Sequence, residues 1–300
     1  MVKSRENRIF QIIAHVVMIL VVICIFAPFL LLFMSSITEE NTLIQNGYSF
    51  IPANFSLDAY QYILSSSNKI FKAYGMTIFV TIAGTLANTA LSSLLAYGLS
   101  LRGLPFKTGI TFYVFFTMLF NGGLVPTYIM YTNTFNIKNT IFALIIPSFM
   151  MSAMNVMLIR TFFTNSIPSA LYEAAEIDGA SHMKIFSNIV LPLGKPILIT
   201  MGLFSALAYW NDWTNGMYYL SGTEGEALYT IQNLLNRMIS KIQFLSSSSV
   251  GSSLGSEVGA IPATGVRMAI AFIAMIPILV IYPFLQKYFQ EGIALGAVKG

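Results

Sequence analysis

Residues 173–196 read EAAEIDGASHMKIFSNIVLPLGKP, a polar stretch with two glycines that lies between two apolar runs. The chain around it is 56% hydrophobic and only 9% charged, whereas soluble domains carry about 25% charge. This composition predicts an all-α membrane protein, because a backbone in lipid must satisfy its own hydrogen bonds. A charged helix–turn–helix on one side of such a chain indicates a surface that docks onto a partner.

Apolar runs of about 20 residues are long enough to span a bilayer as helices. Six runs predict six transmembrane helices, at about 12–34, 73–99, 109–131, 140–161, 195–213 and 266–287. The fifth is short, and it is counted because the ammonium of Lys195 can extend to the interface. The spans leave a loop at 163–194 on one side and two long loops at 35–72 and 214–264 on the other. We expect residues 1–300 to form a single transmembrane domain.

The positions of the basic residues predict the orientation in the membrane. With the N-terminus inside, ten of the 16 lysines and arginines fall on the inner side and six on the outer side. This bias predicts cytoplasmic N- and C-termini and a cytoplasmic loop at 163–194. The first apolar run is too long for a cleaved leader and lacks an A-x-A site, so it is predicted to be a retained anchor.

The two outer loops also contain patterns that predict structure. A short helix is expected through Tyr60 and Leu64. A longer amphipathic helix is predicted from apolar residues at spacings of 3 and 4, which are Leu228, Ile231, Leu235, Met238 and Ile242. Ser246–Ser256 is rich in serine and glycine, which predicts a flexible segment.

Single residues set the limits of the helices in the inner loop. Pro168 suits the first turn of a helix, because its missing N–H is not needed there. Gly179 is expected to end that helix, since glycine adopts a left-handed backbone at little steric cost. Ser181 is expected to cap a second helix. Pro192 and Pro196 mark the turn into the fifth span.

One face of the first helix in this loop suits a partner's cleft. That face carries Leu171, Ala174, Ala175 and Asp178 at positions i, i+3, i+4 and i+7. Its alanines would allow a close approach, and Glu173 and Glu176 would accept hydrogen bonds from basic residues of the partner. From periodicity alone, a helix that lies at the membrane interface is an equally good interpretation, and both stay open at this point.

The whole string resembles the EAA loop of the permease subunits of bacterial ATP-binding-cassette (ABC) importers. The positions that match the family motif are Glu173, Ala174, Ala175, Asp178, Gly179, Ala180, Phe186, Leu191, Pro192 and Pro196. A lone EAA would be a weak signal, but this long match lies between the fourth and fifth of six predicted spans. The chain is similar to the carbohydrate-uptake branch, and within it to the second permease of maltose-type importers.

Further stretches along the chain resemble the same branch. They are Ile51-Pro52 with Phe55-Ser56-Leu57 and Tyr60, Trp210-Asn211-Asp212-Trp213, and the tail from Gln286 to Gly300. Residues 120–128, FNGGLVPTY, resemble the FxGGLIPTY string of a subgroup that imports oligosaccharides from complex polysaccharides, including alginate and pectin fragments. Asn121 and Val125 depart from the Ser and Ile expected in that string.

The resemblance implies a type I ABC importer permease fold, with all of residues 1–300 in one permease domain in a bacterial cytoplasmic membrane. The cargo implied is an oligosaccharide of the acidic, polysaccharide-derived kind. The implied partners are two cytoplasmic ATPase subunits, an extracellular solute-binding protein and a second permease that would complete a heterodimer. The tail at 290–300 is also implied to reach the ATPase dimer.

Within the loop, the resemblance implies which residues couple transport to ATP hydrolysis. They are Glu173, Ala174, Ala175, Glu176, Asp178, Gly179, Ala180, Phe186 and Pro192. The chain has no GxxxxGK[ST] motif, so ATP and Mg are expected to bind the partner ATPase. The chain itself is therefore expected to be a transport subunit without a cofactor and not an enzyme.

Polar and aromatic residues within the apolar spans are candidates for the sugar pathway, because polar groups in lipid are costly and tend to mark function. The candidates are Asn88, Asn121, Tyr128, Asn155, Tyr209, Trp210 and Asn211. Such residues also join neighbouring helices or form interfacial belts, and for any single one that interpretation is the stronger. Asn121-Gly122-Gly123 stands out, since paired glycines can break a helix at a cavity, and a notch for helix packing is an equally good interpretation.

Other functions remain open at this point. The same machine could carry a non-sugar solute, such as a peptide, phosphate or polyamine. A multi-pass membrane enzyme would need charged catalytic residues at a membrane face, and three of the five inner acids fall within the loop motif. A channel subunit would need a selectivity loop or an Arg-rich helix, which the sequence lacks. Two histidines and one cysteine predict no metal site, and no nucleic-acid partner is expected.

Overall fold

The structure is a computed structural model that describes residues 5–65, 67–247, 264–277, 279–280 and 283. Within these ranges the regular structure is helical, apart from one isolated bridge between Thr38 and Phe55, which confirms the predicted all-α class. Two compact units are present, Met1–Ile70 with Leu235–Val280 and Phe71–Leu234 with Ile281–Gly300.

Helices of very different lengths follow one another along the chain. In chain order they are α1 Arg5–Ser36, α2 Glu40–Asn46, α3 Asp58–Ser65, α4 Ser67–Ser100, α5 Lys107–Leu119, α6 Leu124–Thr134, α7 Phe142–Ile145, α8 Ala153–Ser166, α9 Ser169–Ile177, α10 His182–Leu193, α11 Lys195–Trp210, α12 Thr214–Tyr219, α13 Gly222–Glu226, α14 Ile231–Ser247 and α15 Thr264–Pro277. The last turns of α6 and the middle of α10 are π-helical.

Two helices among the described residues are each long and apolar enough to span a membrane. They are Ile9–Ser36, with a mean hydropathy of 3.2, and Asn68–Ser100, with a mean hydropathy of 1.6. Counting each of the bent pairs α5–α6 and α10–α11 as one span raises the number to four. The six-span count and the span limits therefore stay predictions. Of the predicted sixth span, 266–287, the structure describes the part that lies in α15 and the positions 279–280 and 283.

In the first unit, a carboxylate on α2 caps the start of α15. The two oxygens of Glu40 accept the backbone N–H groups of Thr264 and Gly265, each at 2.8 Å. Those N–H groups have no partner within their own helix, so the carboxylate satisfies them and interacts favourably with the positive end of the helix dipole.

The predicted short helix at Tyr60 is confirmed as α3, and the Tyr60 hydroxyl lies 2.7 Å from that of Ser36.

The predicted third span is broken at its paired glycines. Helix α5 ends at Leu119, α6 begins at Leu124, and their axes differ by 112°. Gly123 has a φ of +91°, in the left-handed region that favours glycine, and its N–H donates to Oδ1 of Asn121 at 2.9 Å. Of the two interpretations of Asn121-Gly122-Gly123, the structure shows the helix break.

The apolar run of the predicted fourth span is not one continuous helix. Helix α7 ends at Ile145 and α8 begins at Ala153, with irregular chain between them. Pro147 has no N–H to donate to a helix, and Ser148 has a φ of +66°. The apolar sequence at 140–161 did not predict this interruption, because hydropathy carries no information about backbone conformation.

The core of the second unit joins the ends of several helices to the 163–194 loop. Buried side chains of α4, α5, α8 and α11 meet those of α9 and α10, among them Tyr97, Phe163, Ala175 and Phe186. Gly194 lies at the 81° bend between α10 and α11, where a Cβ would come within 2.8 Å of the Val190 carbonyl oxygen. The prediction of a turn between Pro192 and Pro196 is thus confirmed.

The C-terminal end of α4 is capped by two basic side chains from other helices. Nζ of Lys107 donates to the carbonyl of Leu101 at 2.8 Å, and Nε of Arg160 donates to the carbonyl of Leu99 at 3.2 Å. Carbonyls in the last turn of a helix lack partners and carry its negative dipole end, so both cations stabilise this end. The sequence predicted Arg160 only as an inner-side charge, because its carbonyl partner is 61 residues away.

The predicted amphipathic helix of the second long loop is present as α14. Its apolar face is buried at Ile231 and Leu235, and it begins three residues after Leu228, which lies outside it. The predicted flexible segment lies outside the described residues beyond Ser247, as does the tail from Gln286 to Gly300.

Candidate functional site

The 163–194 loop contains α9, a short helix that follows α8 after two non-helical residues. Helix α9 begins at Ser169, and Pro168 occupies the capping position just before it, with φ −60° and ψ 133°. The prediction that Pro168 lies in the first turn is therefore wrong by one position. Helix α8 ends at Ser166, and Ile167 and Pro168, with ψ of 117° and 133°, are extended before α9 begins.

The end of α9 is fixed by backbone hydrogen bonds around a glycine. Gly179 has a φ of +73°, its N–H donates to the carbonyl of Glu176 at 3.0 Å, and the N–H of Ala180 donates to that of Ala175 at 2.9 Å. This pair of bonds is the Schellman arrangement, which satisfies carbonyls at a helix end. Ser181 then caps α10, accepting the N–H of Lys184 at 3.4 Å. Both predictions, of Gly179 as a terminator and Ser181 as a cap, are confirmed.

The two faces of α9 differ from the prediction in one respect. Ala175 is 9% exposed and packs within the chain's own core, whereas Ala174 is exposed. Ala175 therefore cannot line a partner's cleft together with Ala174. The exposed residues of the loop include Leu171, Glu173, Ala174, Glu176, Ile177, Asp178, Gly179 and Met183. Within the loop, Ile177 is the most exposed large apolar side chain, at 87%.

Aromatic side chains anchor α9 to the ends of the spanning helices. The ring of Tyr172 stacks with that of Tyr97 on α4, with centroids 6.5 Å apart and planes at 18°, and Phe186 lies 5.2 Å from Tyr97. Burial raises the pKa of the Tyr172 hydroxyl above its usual value. A displacement of α9 would therefore be transmitted to α4 through packed rings.

Beside α9 lies a cavity of about 530 Å³ in the second unit. Its walls come from the α4–α5 connection, including Arg102, and from α9, including Glu173 and Glu176. Ala180 is half-buried, Phe186 is buried and Pro192 is exposed, so only part of the implied coupling set is available to a partner.

The interruption between α7 and α8 is held by side chains from three other helices. The Tyr209 hydroxyl donates to the carbonyl of Ile145 at 2.8 Å, Nδ2 of Asn215 to that of Pro147 at 3.1 Å, and Nδ2 of Asn88 to that of Phe149 at 2.6 Å. Irregular backbone at membrane depth needs partners of this kind, because lipid offers none. No sequence pattern singled out Asn215, whose partner lies 68 residues away.

Asn88 also belongs to a buried cluster that joins α4, α8 and α11. Nδ2 of Asn155 lies 3.1 Å from Oδ1 of Asn88 and 3.0 Å from Oγ of Ser205, and the Ser205 hydroxyl lies 2.9 Å from Oδ1 of Asn88. Asn88 is 2% exposed and Ser205 is 6% exposed. The geometry supports a role in joining helices, and contact with a sugar stays a prediction for Asn88 and Asn155.

Tyr209 fills a position shaped by a glycine on α4. Its side chain is 1% exposed, and a Cβ at Gly84 would overlap its ring. Small residues at helix contacts permit such close approach. The other pathway candidates lie apart from this contact. Asn121 and Asn211 are exposed, Trp210 is buried, and Tyr128 stacks on Tyr219 with ring centroids 5.8 Å apart.

Known proteins resemble this chain over nearly its whole length. The sequence matches the profile of the family described as "Binding-protein-dependent transport system inner membrane component" over residues 4–295. It is 37% identical to the polygalacturonan/rhamnogalacturonan transport system permease protein YtcP of Bacillus subtilis (strain 168), over 98% of this chain and 100% of the relative. It is 29% identical to the trehalose/maltose transport system permease protein MalG of Thermococcus litoralis, over 98% of each chain.

The fold is also similar to that of a solved transporter. A chain of a bacterial ABC transporter involved in the import of the acidic polysaccharide alginate superposes with a TM-score of 0.78 at 28% identity. The match covers 95% of this chain and 98% of the other.

Proposed function

The chain belongs to the family of binding-protein-dependent transport system inner membrane components, and from this premise we propose that it carries an acidic oligosaccharide into the cytoplasm. It is a membrane-embedded permease subunit of a sugar ABC importer and not an enzyme, since ATP hydrolysis in such importers resides in a separate subunit. Permeases of this family act together with a second permease, an ATPase and a solute-binding protein.

The finer assignments of partners and topology are proposals. The second permease is a different chain, so the pair is a heterodimer, and two ATPase subunits bind on the inner side. Both termini lie in the cytoplasm of a bacterial cell. ATP and Mg bind the ATPase, and this chain binds neither.

One observation supports the loop as the ATPase contact more than any other. Helix α9 is closed at its end by the Gly179 turn and is packed through Ala175 onto the core, yet Ala174 and Ile177 are left exposed. A short, capped and packed helix moves as a rigid body, which is the requirement for passing ATPase closure to the spans. The implied coupling set acts in two parts. Its exposed residues contact the ATPase, and Ala175 and Phe186 transmit the movement inward.

Cysteine cross-linking tests this contact directly. In a Cys24→Ser background, Ile177→Cys is expected to cross-link to the ATPase subunit, because the Ile177 side chain is 87% exposed on α9. The matched control is Lys138→Cys, also exposed but in a predicted outer loop, which is expected to give no such product. Mass spectrometry of the bands identifies the partner. Cross-linking of Lys138→Cys but not Ile177→Cys would overturn the assignment and the orientation together.

The acidic nature of the cargo rests on the relatives. One relative is named for polygalacturonan and rhamnogalacturonan transport and the solved neighbour for alginate import, and both are acidic polysaccharides. Tyr209 and Asn88 are buried and bonded to the chain's own carbonyls, so recognition of the sugar falls to the two exposed candidates, Asn121 and Asn211.

Uptake by the complete importer in proteoliposomes tests the cargo. Oligogalacturonides, supplied with the cognate binding protein, are expected to accumulate, whereas uncharged maltooligosaccharides of the same length are not. Transport at equal rates would show that the carboxylates are not recognised. Uptake of only the neutral sugar would leave the importer assignment intact and overturn the acidic cargo.

A further inference from the structure

A groove between α5 and α8 combines positive charge with an apolar wall. It has a volume of about 330 Å³ and is lined at one end by Lys107 and Arg160. The remainder is lined by Phe112, Phe115 and Met157 and by two threonines, Thr108 and Thr111. The groove opens on the surface of the second unit, because Phe112 and Phe115 are exposed. Along α5, the basic Lys107 is thus followed by the apolar Phe112 and Phe115.

The two cations in the groove have no acidic partner among the residues that the structure describes. Lys107 donates to the carbonyls of Ser100 and Leu101, at 3.5 and 2.8 Å, and Arg160 uses its Nε on Leu99. A guanidinium has five N–H donors and an ammonium three, so the four N–H groups on the terminal nitrogens of Arg160 and one of Lys107 remain available. Two adjacent positive groups with unused donors attract an anion.

The spacing along α5 matches the dimensions of a phospholipid. Phe112 and Phe115 follow Lys107 by five and eight residues, which at 1.5 Å per residue places them about 7–12 Å further along the helix axis. With Lys107 at the membrane surface, these rings lie at the depth of acyl chains. In the proposed orientation this end faces the cytoplasm, where the anionic lipids are concentrated.

We propose that this groove binds an anionic phospholipid of the inner leaflet, with its phosphate between Lys107 and Arg160 and an acyl chain along the phenylalanines. The site rests on the proposed function for its orientation, with α9 on the cytoplasmic side. Both cations also cap α4, whose Tyr97 stacks with Tyr172 of α9. A bound phosphate would hold the ends of α4, α5 and α8 together behind the coupling helix. The anionic lipid content of the membrane would thereby adjust the coupling.

Lipid retention by the intact complex tests the site. The chain is purified with its co-purifying subunits from nanodiscs that contain phosphatidylcholine and phosphatidylglycerol, and native mass spectrometry counts the retained phosphatidylglycerol. Lys107→Gln and Arg160→Gln are each expected to weaken retention about fivefold, as about 1 kcal/mol per basic residue near the surface predicts. Arg102→Gln is the matched control, because it removes the same charge from the adjoining connection but does not line the groove.

Lys107→Gln and Arg160→Gln each also remove a cap of α4, so a variant that keeps both cations is needed. Met157→Trp fills the groove and leaves both cations in place, so it is expected to lower lipid retention without loss of subunits. Equal retention by all variants would overturn the proposal, as would displacement of the signal by inorganic phosphate alone, which would indicate a simple anion site. Dissociation of the second permease from Met157→Trp would identify the groove as a protein interface instead. Retention is measured without sugar transport, so it is independent of the cargo.

Discussion

Replacement of Gly179 by valine is expected to lower sugar uptake about 5–30-fold while the chain remains in the membrane. The φ of +73° at this residue places a β-branched side chain in a region that costs about 1–2 kcal/mol. That energy lowers the equilibrium constant for the docked arrangement by the stated factor. No atom lies within 4 Å of a Cβ built at Gly179, so the effect comes from the backbone and not from a clash. Uptake and ATPase activity are measured on the complete importer in proteoliposomes.

Gly179→Asn is the control that separates conformation from side-chain bulk. Asparagine enters the left-handed region more easily than valine, and its side chain meets the same open space. We expect this variant to keep most of the uptake. In the valine variant, ATP hydrolysis should persist without a matching amount of sugar transported, because α9 is misaligned and not lost. Normal uptake by Gly179→Val would contradict the role of this turn in coupling.

The end of α9 and the start of α10 could be predicted from the sequence because short-range chemistry decides them. Gly179 and Ser181 act on backbone groups within five residues, and the structure places both as expected. The orientation of the helix could not be predicted in the same way. Ala175 is buried through contact with a core that includes Tyr97, and no local pattern distinguishes it from the exposed Ala174.

The span count shows the limit of hydropathy in physical terms. A window of apolar residues measures transfer into lipid, and it predicted 140–161 as one helix. The chain breaks after Ile145 because side chains of α4, α11 and α12 supply the hydrogen bonds that the helix would otherwise have made. The break at Gly122 and Gly123 could be predicted because glycine marks it. The break at Pro147 could not, since a single proline is also tolerated within a spanning helix.

The polar residues of the spans could be found from the sequence but their partners could not. Asn88 and Asn155 were selected because polar groups in lipid tend to be functional. The structure brings them together with Ser205, which is 117 residues from Asn88. Their shared burial raises the question of whether they bind sugar or hold helices, and an experiment on Asn88 can separate the two.

Replacement of Asn88 by leucine is expected to lower the free energy of unfolding by about 1–3 kcal/mol, the cost of a buried polar group left without its partner. The carbonyl of Phe149 would lose its donor within the interrupted span. Asn155→Leu is the matched variant and should cost only about 0.6 kcal/mol, a typical value for a hydrogen bond between membrane helices. In that variant Asn88 keeps its bonds to Phe149 and to Ser205. Unfolding in a graded series of denaturing detergent measures both.

Transport kinetics of the same two variants distinguish support of the broken span from contact with sugar. If Asn88 holds the interruption, Asn88→Leu lowers stability and the maximal rate of uptake, and the sugar concentration at half-maximal rate changes little. A residue that binds sugar gives the opposite pattern, with a raised half-maximal concentration and unchanged stability. Asn88 is 2% exposed and its amide is already engaged with Phe149 and Asn155, so it presents almost no surface to a sugar. We therefore expect the first pattern, and the second would return Asn88 to the sugar pathway.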